Sequence, residues 1–314
     1  MNDFTHLHVH SEYSIFDGVS RIKDLVQAAK SFGMNAIAVT DHGNMYGAID
    51  LYTECISQGI KPIMGSEMYV AINDHKIKDQ TERSPYHMTI LAKNNIGYSN
   101  LVKLLTIANT QGNYYRPRID KELLVKHKEG LIILSGCPSG EIPRLITNEG
   151  YEQAKSRAIW YSQNFENYYL EIMRHENVDN LTEINQSLIK ISTETGIPLV
   201  ATNDSHYTHK TDYVTQDVCL CIQTNSMIND SNRLKFEDNS YYLKSSEEMQ
   251  ELFSDIPEAL TNTVKISEMC DVSLDLDSTK IPEFKIEDGS DPWSYLQKLC
   301  AEGFVKLFTN PSDQ

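Results

Sequence analysis

Three histidines alternate in Thr5-His6-Leu7-His8-Val9-His10, and a carboxylate follows at Asp17. On a strand over 4–10 the period of two sets His6, His8 and His10 on one face and Leu7 and Val9 on the other. Neighbouring imidazoles then lie roughly 6–7 Å apart. Imidazole is the commonest biological metal ligand. Two of them on alternate positions of a rigid strand can grip one ion while Asp17 serves a second. A solvent-exposed, histidine-rich edge would have the same pattern, so the rest of the chain must decide between the two.

Further groups of the same chemical kind stand at the ends of other expected strands. Asp41-His42-Gly43 closes an apolar run over 36–40, Glu67 lies in 61–68, and His87 opens 86–92. Cys137 follows 131–134, and Asp204 and His206 follow 198–201. Any one of these is more often a hydrogen-bonded structural residue than a ligand. Taken together, His8, His10, Asp17, His42, Glu67, His87, Cys137, Asp204 and His206 would repel or be desolvated in one cleft unless cations sat among them. Mixed imidazole, carboxylate and thiolate donors favour zinc or another borderline transition ion over magnesium or calcium.

The elements that must position these groups alternate. A helix over 21–32, with Ser20 as N-cap and Gly33 as its stop, follows the first strand. A helix over 45–57 separates the strands at 36–40 and 61–68, and a polar loop spans 73–85. Helices over 97–111 and 120–126 precede 131–134, one over 151–164 precedes a strand at 168–173, and one over 180–195 precedes 198–201. Seven strands alternating with helices predict a parallel sheet whose strand ends carry the active site. His87 departs from that rule, because it opens its strand rather than closing it. After His209 the rhythm changes to helices over 213–223, 246–253 and 257–269, a polar connector over 271–291 and a last helix over 293–308. The expected division is therefore 1–210, an α/β barrel, and 211–314, an appended α-rich segment. Cys219 and Cys221, two apart on a helix, point in different directions and read as packing residues.

Composition narrows the class. With 314 residues, 40% hydrophobic and 9% aromatic, the chain reads as globular rather than disordered or fibrous. No apolar run approaches the roughly 20 residues that span a bilayer, and Met1-Asn2-Asp3 lacks a signal-peptide pattern, so the expectation is a cytoplasmic protein with no membrane partner. Its six scattered cysteines read as reduced thiols. A net charge of −16 argues against broad electrostatic attraction to nucleic acid, so any such contact is local or supplied by another domain.

The motifs, in order, are His6-Leu7-His8-Val9-His10-Ser11, Thr40-Asp41-His42-Gly43, Gly65-Ser66-Glu67, Tyr86-His87-Met88-Thr89, Ser135-Gly136-Cys137 and Thr202-Asn203-Asp204-Ser205-His206. This order resembles the polymerase-and-histidinol-phosphatase (PHP) region at the N-terminus of bacterial DNA polymerase III alpha subunits, the C-family replicative polymerases. Tyr115-Arg116-Pro117-Arg118-Ile119-Asp120, Leu220-Cys221-Ile222-Gln223-Thr224 and Tyr242-Leu243-Lys244-Ser245 also look like that family, and the likeness extends over nearly the whole chain.

The resemblance implies a distorted seven-stranded (β/α) barrel with three divalent transition-metal ions, zinc first and manganese or iron as alternatives. Carried over residue by residue, His8, His10, Glu67 and Asp204 hold one ion, Asp17, His42 and His206 a second, and Glu67, His87 and Cys137 a third. Arg118, Arg174 and His175 are candidate phosphate contacts, with surface or supporting roles as the plainer alternative. The implied partners are a DNA 3′ end, the remainder of the polymerase, the sliding clamp, and proofreading or clamp-loader subunits.

Three functions compete. The first is a metal-dependent 3′-to-5′ exonuclease, and the second a metal-braced domain that supports the polymerase. The third is a free-standing phosphatase of the histidinol-phosphate type. Nothing after His209 supplies the rigid aspartates of a polymerase site, so the expectation is an N-terminal portion that does not itself extend DNA.

Overall fold

The structure, a computed structural model, describes residues 4–15, 17–236, 238–278 and 284–308. The Met1-Asn2-Asp3 start, the last residues after Phe308 and part of the 271–291 connector lie outside the described residues. Contacts divide the chain into two compact units, Met1–Ser273 and Leu274–Gln314.

In the first unit, short apolar runs buried on both faces form the staves. They are β1 (Ala36–Val39), β2 (Lys61–Val70), β3 (Tyr86–Ala92), β6 (Leu131–Leu134), β7 (Tyr168–Ile172) and β8 (Leu199–Ala201). A short hairpin, β4 (Asn113–Tyr114) with β5 (Arg116–Ile119), joins the edge of β2 through Tyr69 and Val70. The sequence reading missed this hairpin, whose tight turn places Tyr115 at φ 59°.

Residues 4–10 are extended but do not form the regular strand expected of them. They still serve as the seventh stave. His6 and Val9 accept from the Ala38 and Thr40 amides on one side, while His10 donates to Ser205 and His8 accepts from Ser205 on the other. The N-terminal segment thereby links β1 to the end of β8 and closes a distorted barrel. Leu7, Ala36, Ala38, Ile63, Leu91, Ile132, Leu134 and Val200 fill its interior, joined by Ile266 of α10 (Pro257–Met269) and by Cys270 just after it.

The sheet is not all parallel. β1 with β2, β6 with β7 and β7 with β8 are parallel, but β3 runs antiparallel to both β2 and β6. A parallel return needs a crossover, usually a helix. The 73–85 loop supplies only a 3-10 turn at Gln80–Glu82, so the chain comes straight back. This reversal explains His87. The start of β3 lies at the same barrel end as the finishes of β2 and β6, so His87 joins the other strand-end groups.

The helices cover the barrel. α1 (Ile22–Ser31) buries Ile22, Leu25, Val26, Ala28 and Ala29, and Ser20 does not cap it, since its side chain makes no cap hydrogen bond and is buried without a partner. α2 (Ala48–Gln58), α3 (Asn95–Thr110), α4 (Lys121–Lys126), α6 (Tyr151–Asn164) and α7 (Leu181–Thr195) match the expected segments within a few residues. α5 (Glu141–Asn148) lies between the expected strand at 131–134 and the expected helix over 151–164, where the sequence reading placed no element. α8 (Tyr213–Thr224), α9 (Ser246–Leu252) and α10 follow. α10 packs on β8, where Asn262 donates to the Leu199 carbonyl and Thr263 Oγ1 accepts from the Thr5 amide. The second unit contains α11 (Pro292–Leu307), capped by the Asp291 carboxylate.

Candidate metal centre

The nine sequence candidates lie in one cluster where β2 and β6 finish and β3 begins, delivered by the N-terminal segment, the loops after β1, β6 and β8, and β2 and β3 themselves. Glu67 is the hub. Its Oε1 lies 3.5 Å from His8 Nε2, 2.9 Å from His87 Nδ1 and 3.4 Å from Cys137 Sγ. Its Oε2 lies 3.6 Å from His10 Nε2 and 2.5 Å from His42 Nδ1. Asp204 Oδ1 lies 3.3 Å from His8 Nε2 and 3.1 Å from His10 Nε2. Asp17 Oδ2 is 3.1 Å from His42 Nε2, and the His206 ring stacks 4.2 Å from that of His10. His6 does not join the cluster. It packs edge-on against Phe4 and donates to the Lys244 carbonyl.

Three imidazoles are held in a fixed tautomer by groups behind them. His8 Nδ1 donates to Glu171 at 2.6 Å. His10 Nδ1 donates to Ser14 Oγ, whose own hydrogen goes to Asp41, and His206 Nδ1 donates to the Asp204 carbonyl. Each therefore presents Nε2 to the cluster, as metal-ligating histidines do when an outer partner takes the other nitrogen. Glu171 is the largest residue missed from sequence. Buried in β7, it also accepts from Thr89, Thr202 and the Gly136 amide. The signal was there, a lone carboxylate in the apolar run Tyr168–Ile172. Asp204 itself sits at φ 47°, a left-handed conformation. Its loop is tied down by Asn203, which donates to the Ser240 and Tyr242 carbonyls and accepts from Lys244.

The cluster fits cations. His8 and His10 bring Nε2 to within 3.2 Å of Nε2 with both Nδ1 positions already committed. Asp17 Oδ1, His42 Nδ1, Glu67 Oε2 and Asp204 Oδ1 are buried with no hydrogen-bond partner, the 2.5 Å approach of His42 to Glu67 being out of line for one. Unpaired buried polar atoms are costly, and four converging on one place is the pattern a metal relieves. Burial, with His42 and His206 alongside, pushes the His10 imidazole down to about 3, which keeps it in the neutral ligand form. Burial and the neighbouring Glu67 and Asp204 carboxylates hold the Cys137 thiol well above its usual range, so a thiolate there requires a positive ion. Ligand atoms within mutual reach form the groups His8-His10-Asp204, His10-His42-His206 and His42-Glu67-His87.

Of the three candidate phosphate contacts, Arg118 and Arg174 are engaged elsewhere, whereas His175 lies close enough to Asp204 to feel its charge. Arg118 is fully buried, and its guanidinium donates to the carbonyls of Gly112, Glu82, His75 and Ile77 and to the Glu82 carboxylate. It pins the 73–85 loop and has no face left for phosphate. Arg174 donates to Leu252 and Asp255 and lies over Phe253. His175 is buried in a stack on Tyr241, with Nε2 unpartnered, and burial beside Lys244 lowers it to about 4.

Fold and site together define the class. The PHP domain family model matches residues 6–175, and the chain belongs to that family. Over nearly its whole length the chain is similar to DNA polymerase III subunit alpha. It is 46% identical to that of Borreliella burgdorferi, over 98% of this chain and 27% of the relative. The Helicobacter pylori 26695 relative is 45% identical over 88% of this chain and 24% of its own length, and the Treponema pallidum relative 41% identical over 99% and 27%. The chain thus spans about a quarter of the length of these curated relatives. Among solved structures, a two-domain Bacteroides vulgatus protein with a predicted PHP-like metal-dependent phosphoesterase has a TM-score of 0.41 at 15% identity, over 83% of this chain and 62% of that one. No helix among the described residues is long and apolar enough to cross a membrane.

Proposed function

We propose that this chain is the phosphodiester-hydrolysing region of a replicative DNA polymerase, a proofreading 3′-to-5′ exonuclease built on three divalent transition-metal ions, zinc first. His8, His10, Glu67 and Asp204 would hold one ion, Asp17, His42 and His206 a second, and Glu67, His87 and Cys137 a third. The observation that carries this reading is Glu67, one carboxylate within 3.6 Å of His8, His10, His42, His87 and Cys137. When bound, ions so grouped supply an activated water and a charge clamp for phosphodiester oxygens.

The chain's own residues set where substrate approaches. His8, His10 and Glu67 are sealed at 0–1% side-chain exposure, whereas Asp17, His42 and His87 stand at 17, 16 and 23%. The inner ligands fix the centre, and the outer rim admits a strand end. Tyr69 stacks along His42 and meets His87 edge-on, which holds both rim imidazoles in place. Residues 1–210 carry the chemistry and 211–273 brace it. The partners are the DNA 3′ end, the rest of the polymerase, the clamp, and proofreading or clamp-loader subunits, in the cytoplasm. The buried inner ligands favour a second reading, in which the ions only brace the domain.

The test is metal analysis after purification without chelator, with release of nucleotide from a 3′-labelled single strand. The expected result is close to three equivalents, nucleotide release, and loss of release in His10→Ala. Metal without release from DNA leaves the bracing role. Phosphate release from histidinol phosphate instead moves the chain to the phosphatase reading, and absence of bound metal overturns all three.

A further inference from the structure

A cleft of about 380 Å³ adjoins the centre, lined by Asn177, Tyr213, Gln216, Lys235, Phe236 and Asp238 among others. Only one ring separates it from a ligand, since the Phe236 ring meets His206 edge-on at 4.8 Å. Its volume is at the small end of ligand sites, the size of a single nucleotide unit rather than a helix or a strand. Gln216 is 2% exposed, and its amide Nε2 has no hydrogen-bond partner. A buried, unpaired donor lining a cleft asks for an acceptor from a ligand.

The charges say which part of a ligand enters. Asp217 is paired with Arg233, and Asp238 is taken up by the amides of Glu176 and Ser240. Among the lining residues Glu176, Asp217 and Asp238 are acidic and Lys235 alone is basic. Such walls repel phosphate and suit a flat, neutral ring with hydrogen-bonding edges.

We infer that this cleft seats the nucleobase of the strand's terminal nucleotide. Phe236 stacks on the base, the Gln216 amide donates to a ring carbonyl or ring nitrogen, and the attached phosphodiester lies over Asp204 and His206. The inference rests on the hydrolytic reading and narrows its substrate. A base seated here has left its pairing partner, and unpairing costs least at a mismatch, so the cleft would select mispaired ends.

The experiment uses the metal-loaded chain with oligonucleotides ending in thymidine or in a base-free deoxyribose, and measures binding of dTMP against deoxyribose 5-phosphate. The base-bearing forms should be preferred about tenfold in both, as expected of one base–aromatic stack. Phe236→Ala and Gln216→Leu should each erase most of that preference with metal content unchanged. Cleavage without any base preference overturns the inference and leaves the hydrolytic reading standing. Base-selective dTMP binding that both variants lose, in a protein that cleaves neither strand, supports the cleft and overturns hydrolysis. Loss of metal in both variants along with the preference would make Phe236 and Gln216 props for His206 and overturn the inference.

Discussion

A carboxylate that touches five other candidate ligand side chains cannot be replaced as cheaply as one that touches a single imidazole. Glu67 reaches members of every proposed ligand set, while the ion-pair contact of Asp17 is to His42. Glu67→Ala should therefore strip more metal than Asp17→Ala, and elemental analysis of the two variants showing equal loss would remove the bridging role. Glu171 acts one step further back, fixing which nitrogen His8 offers. Glu171→Gln should weaken metal affinity about ten- to a hundredfold, read by chelator competition, because partners of this kind set ligand basicity and orientation. These two carboxylates also mark what the sequence could reveal. Glu67 was legible because it sits in a motif at a strand end beside other ligands. Glu171 showed in the sequence only as a lone carboxylate in an apolar run, and its role exists only once β7 lies against residues 8, 89, 136 and 202.

At the level of elements, the alternation of apolar runs and amphipathic helices gave the barrel and nearly all of its helices. What it could not give was strand direction. Periodicity is the same whichever way a strand runs, so β3 read as one more parallel stave, and only the misfit of His87 hinted otherwise. Where the start of the reversed β3 meets the loop after β6, the close approach falls on Gly136. It has φ 87°, and a Cβ there would lie 2.4 Å from the His87 carbonyl oxygen. Gly136→Ala must strain the backbone and push β3 from the Cys137 loop at once. We expect it to cost at least about 2 kcal/mol in urea unfolding and to lose roughly one metal equivalent. Gly59 also has positive φ, 71°, but open space around it. Gly59→Ala should cost about 1 kcal/mol and leave the metal untouched, which separates backbone strain from damage to the centre.

For the whole molecule the question is what other chemistry these residues can do. Template-directed synthesis needs carboxylates rigidly spaced to hold two magnesium ions between a primer hydroxyl and a triphosphate. Outside the centre, the ligand atoms brought within mutual reach among the described residues are those of Asp74, His75 and Asp120. Asp120 is already committed, capping α4 through Leu123 and bonding His75, and Asp74 is more than half exposed. Glu247 and Glu248 lie in the first turn of α9, where Glu248 closes a capping box with Ser245. None of these is a two-magnesium platform. A net charge of −16 adds a second obstacle, because a duplex held without basic contacts dissociates readily at physiological salt. The isolated 314 residues should therefore extend no primer with magnesium, manganese or zinc, while release of 3′ nucleotides persists and disappears in His10→Ala. Incorporation of a templated nucleotide by this chain would mean that a second catalytic centre exists where the described residues bring no suitable carboxylates together.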